Sequence, residues 1–241
     1  MVSVAVGNEE SVRRLVGLAD CFELLKSMFA FPEEALVDGI VSGSVAQDMV
    51  TCLEDAGANE SEVARARSCF ADVDCSDGEA LYALMRQTHS QWYLAPGSKV
   101  PIFPYESAFR FVSSGQKGTP SLFRTPVALE VKKSMAEAGV VPVDAAREPV
   151  DSIWNELSFL AFLFGSWASA TFEGNDEGSE RWEQRCHCFW DAHGRVWIPE
   201  FMAATQRLAD ESKARGPYGA FADFGLVATD VTSRFLGEGL R

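Results

Sequence analysis

Pro149 opens the stretch that most constrains this chain. Behind it, Ile153, Trp154, Leu157, Leu160, Ala161 and Phe164 recur at three- and four-residue spacing, and Phe159, Phe162 and Leu163 fill the remaining sides. A helix apolar on nearly every side has to be wrapped by protein or by lipid. Its longest apolar run, Leu157 to Ala170, is interrupted by Ser158, Gly165, Ser166 and Ser169. It falls short of the roughly 20 residues that a bilayer span requires. The stretch is therefore expected at the centre of a helical bundle, with no membrane insertion.

The rest of the chain supplies helices to wrap it. Leu15, Leu18, Phe22, Leu25 and Phe29 share one face of a first helix. Pro32 followed by Glu33 and Glu34 reads as the first turn of a second, where the carboxylates meet the positive end of the dipole. Asn59 with Glu62, and Ser76 with Glu79, have capping-box spacing. The second box leads into a stripe of Leu81, Leu84, Met85 and Thr88 that runs on to Trp92 and Tyr93. Thr125-Pro126 starts a helix that Gly139 ends, and Ser179 starts one that Gly194 stops. Pro199 starts the next, up to Gly216, and Tyr218 to Leu236 reads as the last. Strand signals are nearly absent: isoleucine occurs only at Ile40, Ile102, Ile153 and Ile198, and no alternating run is bounded by hairpin residues. The expected fold is all-α, a single-domain bundle of about ten helices over residues 1–241.

Two stretches interrupt the helical pattern. Residues 95–106, APGSKVPIFPYE, carry three prolines and a glycine. Prolines fix the backbone and exclude regular helix, so Val100, Ile102, Phe103 and Tyr105 are expected on an ordered loop. Residues 139–148 join the two halves, as a hinge or as a short connector. Exchange of halves across them is a route to a dimer, so monomer and domain-swapped dimer both stay open.

The formal net charge of −14 argues against a nucleic-acid partner, whose phosphates need clustered Lys and Arg. It would draw in a basic ligand, and it equally serves solubility alone. Cys21, Cys52, Cys69, Cys75, Cys186 and Cys188 are scattered through a long apolar chain. That distribution suits reduced, mostly buried thiols better than a disulfide frame. Cys186-His187-Cys188 with His193 lacks the second separated pair of a structural zinc site, so neither metal nor cofactor is expected. The opening MVSVAVGNEESVRR has no basic segment followed by an apolar core, and a cytoplasmic location is expected.

Three stretches resemble the TorD/DmsD/NarJ family of molybdoenzyme chaperones. The first is Trp92-Tyr93-Leu94-Ala95-Pro96-Gly97, then Val100-Pro101, then Pro104-Tyr105-Glu106-Ser107-Ala108-Phe109, with Ser121-Leu122-Phe123-Arg124 resembling the segment before the family's next helix. The second is Glu148-Pro149-Val150-Asp151-Ser152-Ile153-Trp154-Asn155-Glu156-Leu157, followed by Phe159-Leu160, with Ser152 where the family usually has His. The third and weaker is His193 with Trp197-Ile198-Pro199 and Phe201. The resemblance spans roughly residues 15–236 in the order of its parts. It implies a TorD-like helical domain without catalysis. It also implies a partner in the catalytic subunit of a molybdopterin oxidoreductase, bound through its leader peptide, in several branches a twin-arginine leader, or through a terminal segment.

A leader peptide has a basic end and an apolar middle, so its receptor needs aromatic surface beside carboxylates. Trp92, Tyr93, Pro104, Tyr105 and Phe109 offer the first, Asp151 and Glu156 the second, with Ser107 and Ser152 between them in the two motifs. Each has an ordinary alternative. Asp151 suits the first turn of a helix behind Pro149, where the dipole favours a carboxylate. Glu156 could satisfy a buried amide or pair with an arginine of the fold. Trp92, Tyr93 and Phe109 could be core residues, and Trp154 and Trp197 are read as core. Tyr105, on a proline-fixed loop, is the stronger functional candidate. On helical spacing Asp151 and Asn155 share a face and Glu156 does not, so the two carboxylates should do different work. Two other readings stay open: an assembly factor that docks on a folded subunit without using a leader, and a helical enzyme of unrecognised type. The enzyme reading is disfavoured, because His89, His187 and His193 stand in no nucleophile or metal-hydrolase motif, and there is no Walker loop.

Overall fold

The computed structural model describes residues 2–95, 100–141, 148–212 and 216–238, with side chains from residue 8 onward. The chain is all-α: α1 (Val2–Phe29), α2 (Glu34–Ser42), α3 (Ser44–Ala56), α4 (Glu60–Ser68), α5 (Gly78–Tyr93), α6 (Glu106–Ser113), α7 (Pro126–Glu137), α8 (Ile153–Phe172), α9 (Asp176–Phe189), α10 (Arg195–Glu211) and α11 (Tyr218–Glu238). Among the described residues there is no strand, only one isolated antiparallel bridge between Tyr105 and Ser152.

The apolar helix is central. Helix α8 packs along α1 and against α9, while α3 and α11 close on other faces of α1 and α10 packs on α11. Phe22 of α1 stacks on Phe164 of α8 at 5.8 Å and meets Trp190 edge-on at 6.0 Å. Leu15, Leu18, Phe22, Leu25 and Phe29, the stripe read from spacing, are all buried in the core. A Cβ added to Gly17 would stand 2.3 Å from the backbone nitrogen of Ala56, so α1 and α3 touch main chain to main chain there. All six cysteines are unpaired; Cys21 and Cys52 lie 3.3 Å apart in the core, and Cys186 is buried too, while Cys69 and Cys75 are half-buried and Cys188 is exposed. No helix of the described residues is long and apolar enough to cross a membrane.

Several helix starts differ from their sequence expectation, each for a local reason. Asn59 and Glu62 form the complete capping box, and Thr125 caps α7 with Pro126 behind it. The other box is shifted by one: Asp77 accepts from the Ala80 amide, while Ser76 bonds instead to Asp74. Pro32 lies ahead of the Glu33 cap rather than inside α2. Asn175, not Ser179, caps α9, and α9 runs through a π-helical turn, Trp190–Gly194, straight into α10. Pro199 is therefore inside α10 instead of at its start. Pro149 does not open α8 either. A turn intervenes, Ser152 is the cap, and Asp151 lies outside the helix. Residues 96–99 of the proline loop and 142–147 of the expected hinge lie outside the described residues.

Candidate functional site

The proline loop is fastened to the start of α8 by main-chain bonds. Ile153 donates its amide to Pro104 O at 2.8 Å and Glu106 donates to Asp151 O at 2.8 Å, on either side of the Tyr105–Ser152 bridge. The Ile102 amide reaches Trp92 O at 3.2 Å and so ties the loop to the end of α5. Side chains then lock the joint. Asp151 Oδ2 accepts from the Ser107 amide at 2.9 Å, capping α6 across 44 residues of sequence. The first turn of α6 has no other side-chain cap, so this carboxylate meets the positive end of that helix.

Beside it lies a buried polar cluster. Glu106 accepts from Arg110 Nη1 at 2.7 Å and faces His193 Nδ1 at 2.8 Å, His193 being held in the π-helical turn. Glu156 accepts from the Trp197 indole at 2.8 Å. Glu106, Asp151, Ser152 and Glu156 are wholly buried and His193 nearly so. Burial pushes the Glu156 carboxyl well above the usual carboxylate range, and the charge of the neighbouring Glu106 pushes the same way. Asp151 is also raised, first by burial, against the opposing pull of the Ser107 bond. Asp151 Oδ1, Glu156 Oε1 and Ser107 Oγ have no hydrogen-bond partner.

Such a cluster holds structure together. The hydroxyl of Ser107 has no base within hydrogen-bonding distance. Among the described residues no group of three or more His, Cys, Asp or Glu is arranged to hold a metal ion, and Cys188 is exposed while Cys186 faces the core. What the cluster does is clamp the loop, α6, the start of α8 and the π-helical turn into one unit.

The open surface lies in front of that clamp. Tyr105 is half-buried and meets the half-buried Trp154 edge-on at 6.2 Å. Trp154 contacts the His89 ring at 6.3 Å, and His89 contacts Phe31 at 5.4 Å. Phe31 is 43% exposed, with the Arg86 guanidinium over its ring at 4.8 Å; the same guanidinium lies over Tyr82 at 5.3 Å. The His89 imidazole is fixed by the Phe29 carbonyl at 3.1 Å, and burial lowers its pKa against the opposing pull of that bond. Tyr82 is one wall of a groove of about 610 Å3 between α2 and α5, lined also by Val37, Glu34, Asp38, Asp77 and Glu79. A strip of aromatic contacts, joined at its middle through the buried His89, thus runs from the proline loop to an acidic groove.

The expected site residues fall into two groups. Pro104, Tyr105, Ser107, Asp151 and Ser152 come together at the loop–α8 joint, with Glu156 one turn further on. Trp92, Tyr93 and Phe109 are buried behind it: Tyr93 stacks on Phe201 at 5.6 Å and bonds Thr205, and Phe109 packs on Trp197. Ser152 accepts from the Asn155 amide at 3.4 Å as the α8 cap, work a serine does well. Trp197 is core, as its spacing suggests, but Trp154 is not; it belongs to the open strip. Phe31, Tyr82 and the α2–α5 carboxylates escaped sequence reasoning. The one available signal was Phe31 standing beyond the apolar stripe of α1. The partnership of Glu106 with His193 also escaped it, since 87 residues separate them.

No curated protein and no solved structure matches this chain. The family described as nitrate reductase delta subunit matches residues 57–203, a span that holds the proline loop, the α8 cap and the π-helical turn. Its members are assembly chaperones of the NarJ/TorD type, and the role is molybdoenzyme maturation. By that match over more than half its length, this chain belongs to the nitrate reductase delta subunit family.

Proposed function

We propose that this protein is a cytoplasmic, non-enzymatic chaperone that binds the leader peptide, of twin-arginine type, or a terminal segment of a molybdopterin oxidoreductase catalytic subunit. It holds that subunit during cofactor insertion and assembly. The observation that carries the reading is the aromatic strip that ends in a groove of four carboxylates. An apolar peptide core would lie along Tyr105, Trp154 and Phe31, where rigid rings give contact area at small entropic cost. The basic end would reach Glu34, Asp38, Asp77 and Glu79, and a peptide guanidinium could stack on an exposed ring as Arg86 does.

On this reading Trp92, Tyr93, Pro104, Ser107, Phe109, Asp151, Ser152 and Glu156 contribute by holding Tyr105 and Trp154 in place. The ordering of the strip in advance lowers the cost of binding a flexible peptide. The test is calorimetric titration of the leader of a molybdoenzyme subunit encoded beside this gene, in parallel with the same subunit lacking its leader. Binding of the isolated leader that weakens as salt rises is the expected result. Retained binding of the leaderless subunit with no binding of the leader would replace this reading by docking on the folded subunit.

A further inference from the structure

A second surface has the opposite chemistry. Residues 107–135 carry Arg110, Lys117, Arg124, Lys132 and Lys133 against the single acidic Glu130, in a chain whose net charge is −14; Arg110 and Lys133 pair with Glu106 and Glu137 at the edges of the segment, which leaves Lys117, Arg124 and Lys132. The segment builds one wall of an open groove of about 630 Å3, whose lining includes Leu122, Phe123, Arg124, Leu129 and Lys132 and, from the turn before α8, Val150. Phe123 is 47% and Leu129 56% exposed. Arg124 stands at φ +57, an uncommon conformation for a residue with a side chain. Among the described residues neither Arg124 nor Lys132 forms an ion pair.

We infer that this groove docks an acidic, amphipathic segment of a partner protein, with apolar side chains on Phe123, Leu129 and Val150 and carboxylates beside Arg124 and Lys132. Charge selects that occupant. An acidic segment is repelled by the rest of the surface and attracted here, while a basic leader is steered towards the α2–α5 groove. A chaperone with two grooves of opposite sign can hold two parts of one client, or a leader and a second subunit, without the two competing.

The test uses fluorescence anisotropy with a synthetic amphipathic peptide that repeats Leu and Glu at helical spacing, and a control in which Lys replaces every Glu. The Glu peptide should bind the intact protein at low salt. Arg124→Glu with Lys132→Glu should weaken it by about tenfold or more, as should Phe123→Ser with Leu129→Ser, and neither should weaken the Lys peptide. No binding of the Glu peptide, or binding indifferent to both double variants, overturns the proposal. So does a dimer of the intact protein that the Phe123/Leu129 variant dissolves, since the occupant would then be a second copy. Leader binding measured on the same variants separates failure here from failure of the leader reading.

Discussion

Two sets of carboxylates in this protein have opposite surroundings. Glu106, Asp151 and Glu156 are wholly buried, and each is hydrogen-bonded within the fold. Glu34, Asp38, Asp77 and Glu79 face an open groove beside exposed rings. Three of the first set lie in the motifs by which the family is recognised; none of the second does. The most recognisable acids are thus buried within the fold, while the acids of the open groove lie outside the family's motifs, Asp77 among them also capping α5. Buried charge is costly unless satisfied, so its partners are specified residue by residue, whereas a solvated groove needs only the right sign.

The comparison breaks first at Asp151. Asp151→Ala should cost about 2–4 kcal/mol of stability in urea unfolding, since it uncaps α6 and empties a buried site, while Asp151→Asn, which keeps an acceptor, should cost far less. Equal small losses would mean that the joint does not hold the fold. A smaller effect is expected in the pH dependence of Glu156. Its folded pKa is raised by burial and by Glu106, so its stabilising contribution is full below the ordinary carboxylate range and is lost as pH rises through the folded value. Glu156→Gln, which stays neutral, should therefore lose less stability than the parent between acid and alkaline pH. Parallel curves for the two proteins would rule that out. Asp151 carries the same sign and remains in both.

On the open side, Tyr105→Ala and Trp154→Ala should each weaken leader binding by about tenfold in calorimetry with near-native unfolding curves, because both rings are partly exposed. A collapse of stability instead would move them to the frame. The smallest effect should come from Asp38→Asn with Glu79→Gln: about a threefold loss of leader affinity at low salt that fades as salt is raised. No loss at any salt would take the acidic groove out of the binding surface.

Most helices of this fold were plain in the sequence, and so were the caps at Asn59 and Thr125, whereas Asp77, Asn175 and Ser152 cap helices whose starts were expected a few residues away. The joint was legible only in part. Pro149 has the fixed φ of a first helical residue, yet a turn follows it, and a shift of four residues, to Ile153, removes Asp151 from α8 altogether. Its true partner, the Ser107 amide, leaves no trace in local spacing. Trp154 shows the opposite limit. Its place in an apolar pattern predicts burial, but a helix apolar on every side must turn one of those sides outward wherever its neighbours stop covering it.

The pairing of α1 with α8 has a consequence for synthesis. The face of α1 that ends at Phe29 emerges from the ribosome well over a hundred residues before Ile153, an interval of roughly ten seconds at ordinary elongation rates. Until then Leu18, Phe22 and Leu25 lack their principal cover. A maturation factor of this family therefore starts as a nascent chain whose central apolar face is still uncovered.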